Sequence, residues 1–146
     1  MRRDLYKKLL KWKTSDRRKP LLLKGARQTG KTYILKEFGK NEYENVFYFN
    51  FEEESHLKDF FNRNLKPHRI IEVLSTYSKK RIQPGRDVII FDEIQASNNA
   101  LNSLKYFREQ ANEFHIAAAG SLLGVKLSTP KSFPVGQVNF LELYPL

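Results

Sequence analysis

The 146-residue sequence predicts a three-layer α/β sandwich on a mostly parallel sheet, and three observations carry that expectation. Segments rich in β-formers alternate with amphipathic helical segments along the whole chain. One strand, Val88-Ile89-Ile90-Phe91 between Asp87 and Asp92, is an unbroken apolar run. Such runs belong to central parallel strands covered on both faces. Another, Pro20-Leu21-Leu22-Leu23-Lys24, feeds a glycine-containing loop and then the helical segment Tyr33-Ile34-Leu35-Lys36-Glu37-Phe38. That is the strand, loop and helix order of a βα unit.

Taken in order, Leu5, Leu9 and Trp12, with Tyr6 and Leu10 beside them, form an apolar stripe at helical spacing. It predicts a helix over about residues 4–13, with Asp4 able to cap it and ease its positive end. Residues 14–19 are a polar, basic connector. After the loop, the second helix is expected to close near Gly39, which can take the left-handed closing conformation. Residues 45–51 are β-rich and predict the second strand. Glu52-Glu53-Glu54 should then open a helical stretch with Leu57, Phe60, Phe61 and Leu65 at core spacing. Pro67 breaks it, and Ile70, Ile71, Leu74 and Tyr77 continue as another helix to about residue 80. Gln83-Pro84-Gly85-Arg86 is a turn into the third strand. Asn98 or Asn99 is expected to cap a helix that runs through Leu101, Leu104 and Phe107 to about residue 112. His115-Ile116-Ala117-Ala118-Ala119-Gly120-Ser121 predicts the fourth strand, with small residues that admit close helix packing. Residues 125–137, with Pro130 and Pro134, read as a loop or irregular hairpin, and residues 138–143 alternate as a fifth strand.

Length and composition set outer bounds. The chain is the size of one domain, and 40% hydrophobic with 29% charged residues is an ordinary globular composition. No apolar run approaches the ~18 residues of a membrane span, and the first residues carry no secretory pattern. Cysteine is absent, which removes disulfides and thiolate metal sites and fits a cytoplasmic location. The formal charge of +10 favours anionic partners: nucleotide, nucleic acid or acidic protein. Much of it lies in Arg2, Arg3, Lys7, Lys8, Lys11, Lys13, Arg17, Arg18 and Lys19. Lysines opposite the Leu5–Leu9–Trp12 stripe are first of all a solvated helix face, and contact with nucleic acid is the second reading. His56, His68 and His115 are too scattered for an imidazole metal site. The aromatic residues fall mostly at core spacing and read as packing.

Chemistry concentrates in two places. Gly25-Ala26-Arg27-Gln28-Thr29-Gly30-Lys31-Thr32 fits the phosphate-loop pattern G-x-x-x-x-G-K-[ST] at every fixed position. Gly25 and Gly30 allow backbone angles that turn successive N–H groups toward an anion, and the new helix, beginning around Tyr33, points its positive end there. Lys31 adds a mobile cation for terminal phosphates, and the Thr32 hydroxyl can ligate magnesium. Asp92 and Glu93 end the third strand, on the rim where open α/β sheets bind ligands. There Asp92 can hold the metal beside Thr32, and Glu93 can polarise a water in line with the terminal phosphate. Ser121, after the fourth strand, can reach that water or phosphate, or else cap the residues that follow it. Gln95 can position Glu93, or make a plain loop hydrogen bond.

These segments together resemble one family. The loop at Gly25–Thr32, the strand Val88-Ile89-Ile90-Phe91-Asp92-Glu93-Ile94-Gln95, Ala119-Gly120-Ser121, Phe133-Pro134-Val135-Gly136 and Phe140-Leu141-Glu142-Leu143-Tyr144-Pro145-Leu146 are similar to the prokaryotic AAA+ superfamily ATPases of AAA_14 and DUF4143 architecture. The phosphate loop alone indicates only P-loop proteins; the closing segment makes the likeness specific. The resemblance implies a sheet in the order 5-1-4-3-2 and ATP with magnesium as ligand. It implies Lys31 and Thr32 as Walker A, Asp92 and Glu93 as Walker B, and Ser121 at the sensor 1 position. One ATPase domain over residues 1–146 is expected, an N-terminal helical part (1–19) and a core (20–146), with the lid and C-terminal domain of such relatives lying beyond it. Sensor 2 and the surfaces for homo-oligomers or partner proteins would lie there too. Gln137 stands where many relatives carry Arg or Lys, and glutamine cannot replace that charge. The expected activity is ATP hydrolysis, slow for this part alone, and the alternative is a nucleotide-gated module that contacts nucleic acid.

Overall fold

The computed structural model describes residues 2–25, 30–121 and 135–143. Five strands form one sheet: β1 (Leu21–Lys24), β2 (Asn45–Asn50), β3 (Asp87–Asp92), β4 (His115–Gly120) and β5 (Asn139–Glu142). Their order is β2-β3-β4-β1-β5, and every pairing is parallel. This is the expected order 5-1-4-3-2 read from the other edge. Parallel pairing brings all the C-terminal strand ends to one rim, so Lys24 lies in register with Gly120 and Glu142, and Asn50 with Asp92.

Alternation along the strands divides the core in two. Phe47, Phe49, Ile89, Phe91, Ile116 and Ala118 face one side. They pack against α3 (Pro67–Ser78), α4 (Asn98–Gln110) and a 3₁₀ segment, Ser55–Phe61. Leu21, Leu23, Val88, Ile90, Ala117 and Ala119 face the other side, under α1 (Arg2–Thr14) and α2 (Lys31–Glu42). All six residues of β3 are buried, which is why its sequence shows no polar alternation. No helix among the described residues is long and apolar enough to cross a membrane.

Several local expectations are corrected. Helix α1 starts at Arg2, so Asp4 sits inside its first turn, where it eases the positive end as expected but does not cap. Helix α2 runs through Gly39 to Glu42; Gly39 is buried where the helix crosses β2 and β3. Glu52-Glu53-Glu54 does not open a helix. Asn50 Oδ1 accepts the backbone N–H groups of Glu52 and Glu53 at 2.9 and 3.0 Å, which holds those residues in a turn. The helical stretch that follows is only the 3₁₀ segment. Pro67 begins α3 at its first positions, where its missing N–H costs nothing. Ser97, not Asn98 or Asn99, caps α4, its Oγ accepting Ala100 N–H at 3.1 Å. β4 ends at Gly120, one residue early, and a 3₁₀ turn at Val135–Gln137 leads into β5. The rest of the expected loop or hairpin, residues 125–134, lies outside the described residues.

Candidate functional site

Two elements that are neighbours only in space build the site. β1 delivers the chain to Gly25, and α2 starts at Lys31 after Gly30, whose φ of 90° is the left-handed backbone that glycine adopts without strain. Lys31 is only 7% exposed, and its ammonium donates to the Gly25 carbonyl at 2.8 Å. Ala26, Arg27, Gln28 and Thr29 lie outside the described residues.

From α2, the Thr32 hydroxyl donates to Asp92 Oδ2 at 2.5 Å, bridging the helix to the end of β3. Asp92 is 2% exposed; its Oδ1 accepts the Glu93 N–H at 2.9 Å, and its carbonyl accepts Phe51 N–H at 3.1 Å. Glu93 has a φ of 50°, a left-handed backbone uncommon for a residue with a side chain. That kink turns the chain off the strand at the rim. Glu93 Oε1 accepts from Gln95 Nε2 at 3.3 Å, while Oε1 of the buried Gln95 has no partner among the described residues.

Gly30, Lys31, Thr32, Tyr33, Lys36, Asp92 and Glu93 line a cavity of about 560 Å³. Tyr33 stands at its edge, 57% exposed. Residues expected from two distant stretches of sequence are thus gathered at one place. Ser121 does not line this cavity. It follows β4, between the β3 and β1 ends of the rim, and its buried Oγ has no partner among the described residues.

Two residues at the site were not foreseen. The Tyr48 hydroxyl, from β2, donates to the same Asp92 Oδ2 at 2.5 Å. Burial, and after it the hydrogen bond to Asp92, push the phenol pKa well up, so it stays a proton donor. Lys36, one turn beyond Thr32 on α2, holds its ammonium 3.9 Å from the centre of the Tyr48 ring. The available signal was the spacing: Thr32 and Lys36 share a helix face, and Tyr48 shares a strand face with Asn50, the register partner of Asp92.

Chemically, the cavity joins a helix N-terminus and a lysine, which suit phosphate, to a hydroxyl and a carboxylate, the hard oxygen donors that suit magnesium. The convergence of Thr32 Oγ1 and Asp92 Oδ2 on one point fits that metal.

A family model described as an AAA domain, AAA_14, matches residues 17–146. Among solved structures, RuvB T158V of Thermotoga maritima matches with a TM-score of 0.61 at 18% identity, over 99% of this chain and 45% of that one. The Orc1 protein of Aeropyrum pernix, in complex with DNA, matches with 0.58 at 15% identity, over 98% and 43%. AMPPCP-bound DnaA from Aquifex aeolicus matches with 0.55 at 17% identity, over 96% and 44%. The chain spans less than half the length of each, and at these identities the likeness is one of fold. No curated protein matches the sequence.

Proposed function

The chain belongs to the AAA_14 family of AAA domains, nucleotide-binding domains of the P-loop ATPase type, and we propose that its own reaction is magnesium-dependent hydrolysis of ATP in the α2–β3 cavity. The observation that carries this reading is the Thr32–Asp92 contact at the N-terminus of α2, with Lys31 beside it. The backbone of Gly25 to Gly30 and the first turn of α2, through Tyr33, take the phosphates. Lys31 exchanges the Gly25 carbonyl for phosphate oxygens and neutralises charge that develops there. Thr32 and Asp92 would hold magnesium, which when bound draws negative charge off the phosphate oxygens. Glu93 orients the attacking water and accepts its proton, with Gln95 fixing the carboxylate. Ser121 contributes a hydroxyl from the rim, its Oγ having no partner among the described residues. The nucleotide analogue named for DnaA is further support for a nucleotide here.

Among the described residues lining the cavity none is an arginine, and Arg27 of the loop lies outside them. An arginine supplied by a partner is worth about 10³ to 10⁵ in rate in related phosphoryl-transfer enzymes, so turnover by this chain alone is expected to be slow. The test is single-turnover hydrolysis by Glu93→Gln against the parent. Losing a general base should slow hydrolysis by about 10² or more and leave ATP binding intact. A variant as fast as the parent removes Glu93 from this role.

A second reading concerns the basic face. Lys7, Lys8 and Lys11 are exposed on α1, opposite its buried stripe of Leu5, Leu9 and Trp12. The fold is shared with an Orc1 protein solved in complex with DNA. If this face contacts nucleic acid, affinity will fall steeply with salt and change with ATP; no binding at low salt ends the reading.

A further inference from the structure

Oδ2 of Asp92 accepts two hydroxyl protons, and only one of them comes from the phosphate-loop helix. The other is the Tyr48 phenol, which donates to that oxygen at 2.5 Å. Asn50 Nδ2 donates to the phenol oxygen at 3.2 Å and the Thr32 hydroxyl also lies within hydrogen-bonding reach of it, while the phenol proton goes to the carboxylate. Asn50 is itself fastened, since its Oδ1 holds the Glu52 and Glu53 N–H groups. The ring is clamped by the Lys36 ammonium above its face. A hydrogen-bonded chain therefore runs from the turn after β2, through Asn50 and Tyr48, into the acid of β3.

We propose that Tyr48 is a positioning residue for the divalent cation: its phenol, clamped by Lys36 and Asn50, locks the Asp92 carboxylate with Oδ2 turned to Thr32. This rests on the ATP–magnesium reading above. The other hold on Asp92, the Glu93 N–H on Oδ1, leaves the carboxylate free to swing Oδ2 about that contact. Without the phenol, Oδ2 keeps the Thr32 hydroxyl but loses its second donor. Partners that orient a ligating group typically change metal affinity by about 10- to 100-fold when removed. The phosphate grip of Lys31 and the α2 N-terminus does not pass through Tyr48, so metal-free nucleotide binding is left alone.

The experiment compares the parent with Tyr48→Phe, which keeps the ring under Lys36 and removes only the donor. Binding of a fluorescent ATP analogue is measured in chelator and across a manganese titration. The expected result is equal affinity in chelator and a manganese midpoint raised at least about tenfold in the variant. An unchanged midpoint overturns the proposal, as does an affinity in chelator that falls in step with the midpoint. A parent with no manganese dependence defeats the ATP–magnesium reading itself, and this inference with it; the unmutated chain alone distinguishes that case. Should Tyr48→Phe not fold, 3-fluorotyrosine placed at position 48 keeps the question open to measurement. Its fluorine resonance should move when magnesium is added to the analogue-loaded protein, and a resonance that stays put overturns the assignment.

Discussion

At the scale of single residues, His115 shows what the fold does to a group with no part in the site. It opens β4 with its Nδ1 2.6 Å from the Tyr43 hydroxyl and its ring edge-on to Trp12. Burial, and then the charges of Arg18 and Lys13, lower its pKa to about 4 from 6.5. Arg18 is held there by its bond to the Asn112 carbonyl, and Lys13 lies over the Tyr43 ring, so neither cation can move aside freely. Between pH 6.5 and 4 the unfolded chain takes up a proton that the folded chain refuses. Stability should therefore be unaffected by this residue above pH 6.5 and fall as pH drops through that window. Melting curves from pH 7 to 4 should be steeper for the parent than for His115→Gln, which cannot charge; equal slopes would exclude the assignment. Neither this pairing nor that of Tyr48 with Asp92 was read beforehand: the partners lie 72 and 44 positions apart, and the strand face that Tyr48 shares with Asn50 becomes a signal only once the register of β2 with β3 is known. Thr32 and Asp92 are 60 apart, and their contact was legible because each ends a recognisable pattern, the G-x-x-x-x-G-K-[ST] loop and the apolar strand closed by an acid.

At the scale of elements, Gly39 carries the sharpest lesson. A glycine late in a helical pattern has two possible uses, a left-handed ending or a close approach, and the sequence looks the same for both. Here it is the second. A Cβ at position 39 would lie 2.8 Å from Val46 Cγ2 and 3.0 Å from Val88 Cγ1, so α2 sits as low on β2 and β3 as the missing side chain allows. Gly39→Ala gains about 1 kcal/mol of helix propensity, but overpacking costs about 1–3 kcal/mol, and β-branched valines have little rotamer freedom to yield. Net destabilisation of about 1 kcal/mol is expected in urea unfolding; a gain would mean the valines give way. Helix caps were ambiguous for a related reason: Ser97, Asn98 and Asn99 are all good cap residues in a row, and only the path of the chain after Glu93 selects Ser97. The central strands were legible because burial on both faces leaves an apolar run that no other element produces at that length, as in β3.

At the scale of the whole molecule, the strand order sets the site's consequences. β4 stands between β1 and β3, so the loop on β1 and the acids on β3 are joined at the rim by α2 and Thr32 rather than by direct strand pairing. A ligand that bridges them ties together elements from both core clusters, because α2 packs on one face while β3 faces both. Binding should therefore stabilise the fold as a unit. ATP at a thousand times its dissociation constant adds about 4 kcal/mol to the folded state, which for a chain of this size raises the melting temperature by roughly 10 °C. Magnesium should enlarge the shift, and Lys31→Ala should abolish most of it. The variant loses its bond to the Gly25 carbonyl as well, so its own ligand-free melting point is the reference, not the parent's. A panel of nucleotides with and without magnesium then separates the contributions: a shift with nucleotide that Lys31→Ala retains would place the phosphates elsewhere, and a shift indifferent to magnesium would remove Thr32 and Asp92 from metal binding.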